Sequence, residues 1–212
     1  MQIAPSILDA DFSSLQAEID SLQEADRIHL DIMDGQYVPA VSFDVQDLVG
    51  ITFPVPIEAH LMVDNPESFF ERFITLGCSG IAFHIENTGE ATALELLTIL
   101  KNENIRAGIC VDGYTDTDEL SDEILEIADQ VLLMSVKAGA GGQSFMMEVL
   151  DKIESLRARG FGGEIEVDGG VTLENAESLK EAGADIVVVG SALMKRTLPA
   201  DRAGYIEEMQ GI

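Results

Sequence analysis

The chain has no tryptophan, two cysteines, three histidines and only 12 Lys and Arg in 212 residues. Each scarcity excludes something. Against 39 Asp and Glu these cations leave a net charge of -27, too few and too outnumbered to neutralise a phosphate backbone, so nucleic-acid binding is excluded as a role. The same sign repels an anionic membrane surface. Apolar stretches such as the one ending at Val189 have the length of a strand, not the ~20 residues a spanning helix needs. Cys78 and Cys110 sit in apolar settings and read as reduced core residues, not a disulfide. The N-terminus has no basic patch followed by an apolar run, so no secretory leader is expected and the cytoplasm is the expected location.

What is present is globular composition, 46% hydrophobic and 24% charged. No linker, charge block or low-complexity run divides residues 1–212, which read as a single domain. Short apolar strands alternate with amphipathic helices. The pattern predicts strands at 2–5, 28–32, 57–62, 80–84, 105–111, 130–136, 164–167 and 185–189. Helices are expected at 13–25, 66–76, 90–102, 117–128, 145–158, 173–182 and about 200–209, with a short one near 45–49. Strands joined by helical crossovers form a parallel sheet. Spread over eight units, 212 residues give roughly 26 each, the lean end of a (β/α)8 barrel. A doubly wound open sheet is the alternative, but the first strand runs into Pro5-Ser6-Ile7-Leu8 without the Gly-rich turn such a fold uses.

In a barrel, strand residues of one parity face the axis, and chemistry sits at the C-terminal strand ends. In the second strand Ile28, Leu30 and Ile32 share the outer parity, while Arg27, His29, Asp31 and Met33 share the inner one. Glu58, His60 and Met62 repeat the pattern, as do Glu164, Glu166 and Asp168. His29, Asp31, His60 and Asp168 therefore converge near the axis. Two imidazoles and two carboxylates predict a site for one divalent ion such as Zn, Fe, Mn or Co, since Mg favours oxygen ligands alone. One layer lower, Arg27, Glu58 and Glu166 predict a structural ion-pair cluster, because buried charges must be paired.

Several segments together resemble the ribulose-phosphate 3-epimerase family over nearly the whole chain. They are Ile3-Ala4-Pro5-Ser6-Ile7-Leu8, His29 through Pro39, His60-Leu61-Met62-Val63, Phe83-His84-Ile85-Glu86, Gly139 through Gln143, Val167-Asp168-Gly169-Gly170-Val171 and Gly190-Ser191. The resemblance implies a ribulose-phosphate-binding barrel that epimerises D-ribulose 5-phosphate to D-xylulose 5-phosphate through an enediolate. It implies a metal held by His29, Asp31, His60 and Asp168, with Asp31 and Asp168 as the two opposed acid/base groups. It further implies a pocket wall of Met33, Met62 and Met134, with Ser6 and His60 against the substrate.

Barrel phosphates commonly rest on the last βα loops. Gly169, Gly170, Gly190 and Ser191 are expected there, with Gly139, Gly141 and Gly142 allowing close approach. The chain departs from the family pattern at Lys137, Ala138 and Ala140 after the sixth strand, at Asp112-Gly113 after the fifth, and at Ala40. Lys137 is the expected direct cation for the phosphate or sugar. These departures leave open an allulose 6-phosphate or related hexulose substrate. The decarboxylase and hexulose-phosphate synthase group that shares the barrel needs an Asp-x-Lys-x-x-Asp array, and the second strand has no lysine. A metal-binding barrel without turnover would need no pair of opposed carboxylates. The expected partner is a small sugar phosphate, and a homo-oligomer is compatible with the sequence.

Overall fold

The computed structural model describes residues 1–139 and 143–212. Its strands are β1 (Gln2–Pro5), β2 (Ile28–Met33), β3 (Ile57–Met62), β4 (Gly80–His84), β5 (Arg106–Val111), β6 (Gln130–Met134), β7 (Glu164–Asp168) and β8 (Ile186–Val189). All pairings are parallel, in the order β1-β8-β7-β6-β5-β4-β3-β2. The ring closes between β1 and β2 through the single bridge Ser6–His29. Two backbone bonds reinforce that closure, Ile7 N–H to His29 O at 3.3 Å and Asp26 N–H to Ile3 O at 3.1 Å. This is the (β/α)8 barrel expected from the alternation.

Helices cover the outside: α1 (Leu15–Asp20), α2 (Glu67–Leu76), α3 (Ile85–Asn102), α4 (Asp122–Ile127), α5 (Val149–Ala158), α6 (Leu173–Ala182), α7 (Ser191–Met194) and α8 (Pro199–Gln210). Among the described residues, no helix is long and apolar enough to cross a membrane. The segment expected as a helix over 13–25 stops at Asp20, because Leu22 and Ala25 close tight i to i-3 turns that bury both side chains. The 117–128 segment divides into a 3-10 turn, Thr117–Glu119, and α4, whose start is fixed by the Ser121 hydroxyl accepting from Ile124 N–H. Helix α3 begins earlier than its periodicity implies and kinks at Gly89, where φ is 68°. The four-residue α7 follows Gly190 and has no periodic signature of its own.

Strand parity sorts the interior into two cores. Ile28, Leu30, Ile32, Ile81, Phe83 and Ile109 pack outward against the helices. Met33, Met62, Ala82, Cys110, Leu132 and Met134 cluster inside the barrel. Both faces of every strand are thus covered, which is why the strands read as nearly continuous apolar runs. Cys78 and Cys110 are buried and free, and burial pushes both thiols up from their ordinary range.

The barrel floor is ionic. Arg27 donates to Glu58 at 2.9 Å and to both oxygens of Glu164 at 3.1 Å, and Arg106 reaches Glu58 at 2.6 Å. Gly80 makes room for that arginine: a Cβ there would stand 2.7 Å from Arg106 Nη2. The expected cluster needs one correction. Glu166 makes no ion pair with Arg27, because it stands two positions further up β7, where it accepts from Gln130 Nε2 and faces His29. Glu164 takes the place beside Arg27.

Candidate active site

The upper inward positions of β2, β3 and β7 bring four groups together. One ligand atom from each of His29, Asp31, His60 and Asp168 lies within 4.8 Å of the others. The strand register produces this directly, since Asp31 pairs with His60, Met33 with Met62 and Met134 with Asp168. His60 Nδ1 stands 3.1 Å from Asp31 Oδ1 and 3.7 Å from Asp168 Oδ2. His29 Nε2 is 3.4 Å from Asp31 Oδ1. The other oxygen of Asp31 accepts a 2.6 Å hydrogen bond from Ser6 Oγ.

Both imidazoles are held from behind. His29 Nδ1 lies 3.1 Å from Glu58 Oε1, so the ionic floor fixes its ring. His60 Nε2 lies 2.9 Å from His84 Nε2, and His84 Nδ1 lies 3.2 Å from Glu86 Oε2. All three histidines of the chain therefore belong to one buried array.

Charge divides unevenly between the two carboxylates. Burial opposes ionisation of Asp31, but His29 and His60 outweigh it and hold the group well below the usual carboxylate range. Asp168 is pushed up to about 7, first by burial and then by the charge of Asp31. One member of the pair is thus ionised while the other retains a proton near neutrality, as expected of like charges in one dry site. Burial holds His60 down at about 4, neutral at ordinary pH. Burial also opposes a charge on His29, yet Asp31, Glu166 and Glu58 outweigh it and raise the group well above its usual value. Lower in the barrel, burial and the Glu58 charge push Glu166 up to about 8.

These residues fit a divalent cation. His29 Nε2 is buried without a hydrogen-bond partner among the described residues. The carboxylates that draw a proton onto His29 would equally draw a cation, and two N and two O donors suit Zn, Fe, Mn or Co.

Above the array opens a cavity of about 330 Å³. Asp31, Asp168, Ser6, Met33, Met62 and Met134 form its lower wall. Gly139, Gly169, Gly170, Gly190 and Ser191, all beyond the strand ends, also line it. At Gly169, where φ is 116°, a Cβ would lie 2.5 Å from Val136, so only glycine lets β7 turn away under that wall. His29 and His60 are buried and do not line the cavity, and His60 Nδ1 faces Asp31 and Asp168. Gly141 and Gly142, with Ala140, lie outside the described residues.

Lys137 is exposed and does not line the cavity. Among the described residues, the one cation that does is Lys195, which follows α7. Sequence reasoning missed it because nothing periodic announces α7. It also missed Thr172, a cavity residue that opens α6 and whose N–H donates to Asn175 Oδ1 at 2.9 Å. The Thr-x-x-Asn spacing was the available signal. Ala138 is buried and its N–H donates to Asp112 at 3.0 Å. Gly113 lies against the Val136 carbonyl, where a Cβ would come within 2.6 Å. The departures at 112–113 and 138 therefore fit one another.

A parallel barrel with paired carboxylates beneath an open cavity at the C-terminal strand ends defines a barrel enzyme. Solved barrels share the architecture at low identity. Tryptophan synthase from Pyrococcus furiosus aligns with a TM-score of 0.70 at 23% identity, covering 100% of this chain and 98% of that one. A 3-hexulose-6-phosphate synthase gives 0.71 at 14% identity, covering 100% and 99%. At such identities the likeness concerns the fold alone. The sequence comparison is more specific: the model of the ribulose-phosphate 3 epimerase family matches residues 2–194. Ribulose-phosphate 3-epimerase from Helicobacter pylori is 39% identical, over 100% of this chain and 98% of that protein. Its counterpart from Synechocystis is 37% identical, over 99% and 92%. The chain belongs to the ribulose-phosphate 3-epimerase family, whose members are isomerases acting on carbohydrates.

Proposed function

We propose that this enzyme interconverts D-ribulose 5-phosphate and D-xylulose 5-phosphate by inverting C3. The observation that carries the reading is the pair Asp31 and Asp168, both lining one cavity and both among the convergent ligands of one array. Epimerisation beside a ketone requires a base on one face of C3 and an acid on the other. Ionised Asp31 takes the C3 proton as the C–H bond breaks, and the electron pair moves into the C2 carbonyl to give an enediolate. Asp168 then delivers its proton to the opposite face. The pair ends with protonation states exchanged, the starting condition for the reverse reaction, and is reset by exchange with solvent.

His29, Asp31, His60 and Asp168 would hold a divalent ion, Zn, Fe, Mn or Co, which when bound supplies Lewis-acid stabilisation of the enediolate oxygens. Ser6 keeps Asp31 oriented through its 2.6 Å hydrogen bond. The three methionines give the carbanionic stage a dry, polarisable wall. The glycine-lined side accepts the phosphate, and Lys195 offsets the repulsion that a chain of net charge -27 exerts on an anionic substrate.

The test is NMR of C3 hydrogen exchange in D2O, with zinc-supplemented protein and D-ribulose 5-phosphate. Deuterium at C3 with appearance of the xylulose epimer is expected. Allulose 6-phosphate serves as the comparison, and turnover of it in preference to the pentulose would overturn the substrate assignment.

A further inference from the structure

His84 ends β4 and is 1% exposed, so it cannot touch a substrate in the cavity. It stands between two groups of different kinds. One nitrogen faces His60 Nε2 at 2.9 Å, and the other faces Glu86 Oε2 at 3.2 Å. Glu86 is itself fixed: its second oxygen accepts the Asp112 N–H at 2.7 Å. The His60 and His84 rings stack at 5.1 Å, and the Tyr37 ring lies 5.0 Å from His84.

A hydrogen bond between two imidazole nitrogens needs a proton on one and a lone pair on the other. If His84 donated, its Nδ1 would turn a lone pair toward the Glu86 carboxylate, and His60 would carry its proton on Nδ1, toward Asp31 and Asp168. If His60 donates, His84 carries its proton on Nδ1 and gives it to Glu86. His60 Nδ1 then presents a lone pair to the four-residue array. Carboxylates thus face both outer nitrogens, Glu86 at one end and Asp31 at the other. With one N–H on each ring, the pair holds one proton too few for all three hydrogen bonds. A cation at His60 Nδ1 removes that shortage.

We propose that His84 and Glu86 are positioning residues that fix His60 as its Nε2–H tautomer and so aim its Nδ1 lone pair at a divalent ion. The proposal rests on the reading of His29, Asp31, His60 and Asp168 as a metal centre. The array is a second support running across the barrel, Glu86 to His84 to His60, in addition to the vertical one from Glu58 to His29. Outer partners of this kind set the tautomer and basicity of a ligating imidazole, and their loss lowers metal affinity roughly 10–100-fold.

The experiment uses the full chain labelled with 15N-histidine, whose three imidazoles can each be assigned. Long-range 1H–15N spectra are recorded with a chelator and then with one equivalent of zinc chloride, whose affinity is measured by competition with a chromophoric chelator. In the zinc-loaded protein, protons are expected on His60 Nε2 and His84 Nδ1. A proton on His84 Nε2 in that state overturns the relay while leaving the metal centre standing. Failure of zinc to bind stoichiometrically overturns the metal centre and the relay with it. Two variants supply an independent reading. His84→Phe keeps a ring but offers no acceptor, and is expected to weaken zinc binding by about 10–100-fold. His84→Gln, whose side-chain carbonyl can accept from His60, is expected to keep most of the affinity. Equal affinity in the wild type and His84→Phe overturns the proposal.

Discussion

Ser6 Oγ donates to Asp31 Oδ2 at 2.6 Å, a bond from the end of β1 to the inward face of β2. It leaves the other oxygen of Asp31 to His60 and His29. Hydrogen bonds to a charged group are worth about 1.5–3 kcal/mol. Ser6→Ala is therefore expected to lower kcat by roughly tenfold or more with little change in the fold, measured by steady-state kinetics beside a circular dichroism melt.

The two carboxylates are expected to separate in isotope exchange. Asp168→Asn should lose epimerisation by about 10²–10⁴-fold, the usual worth of a general acid or base. With Asp31 still present, it should continue to exchange the C3 hydrogen of one epimer without inversion. NMR of the recovered sugar reports both quantities, and equal loss of both would deny Asp31 an independent role.

Lys195 and Lys137 should behave differently. Lys195 lines the cavity and Lys137 points out to solvent. Lys195→Ala is expected to raise KM for the sugar phosphate roughly tenfold, as loss of one charge-assisted contact implies, and to weaken the salt dependence of kcat/KM. Lys137→Ala should leave both unchanged. The opposite ranking would restore the assignment made from the sequence.

Glu166 gives a pH dependence whose sign can be worked out. Its folded value, about 8, lies above the ordinary 4.5. The folded state then holds more protons than the unfolded one between those values, so stability is fully present below about 4.5 and is lost as pH rises through about 8. Glu166→Gln in metal-free protein should flatten that slope and gain on the order of 2 kcal/mol at pH 8.5 relative to the wild type. Urea unfolding at pH 5 and pH 8.5 measures it.

Much of this site was legible because polar residues recur at every second position inside apolar strands. Arg27, His29 and Asp31 among Ile28, Leu30 and Ile32 can satisfy a buried strand only by facing an ionic barrel interior. Lys137 was misplaced for a local reason. Strand β6 ends at Met134, Ser135 bonds back to Asp168 O, Val136 is buried, and the next side chain turns outward. Lys195 was hidden by a four-residue helix, too short for any period to register. Neither the exchange of Glu164 for Glu166 beside Arg27 nor the outer support of His84 follows from parity. Parity names a face, whereas these depend on height along the barrel axis.

The closing seam of the barrel carries a last consequence. Most neighbouring strands share registers of four to six residue pairs and β7 with β8 shares three, but β1 and β2 meet at one bridge, Ser6–His29. The Ser6–Asp31 bond crosses the same gap. The proposed catalytic base is therefore also a clasp, and this edge is the weakest stave in the ring. Anything that grips Asp31, His29 and Ser6 together tightens the hoop, so slower amide exchange at Ile7 on ligand binding would report barrel closure and site occupancy as one event.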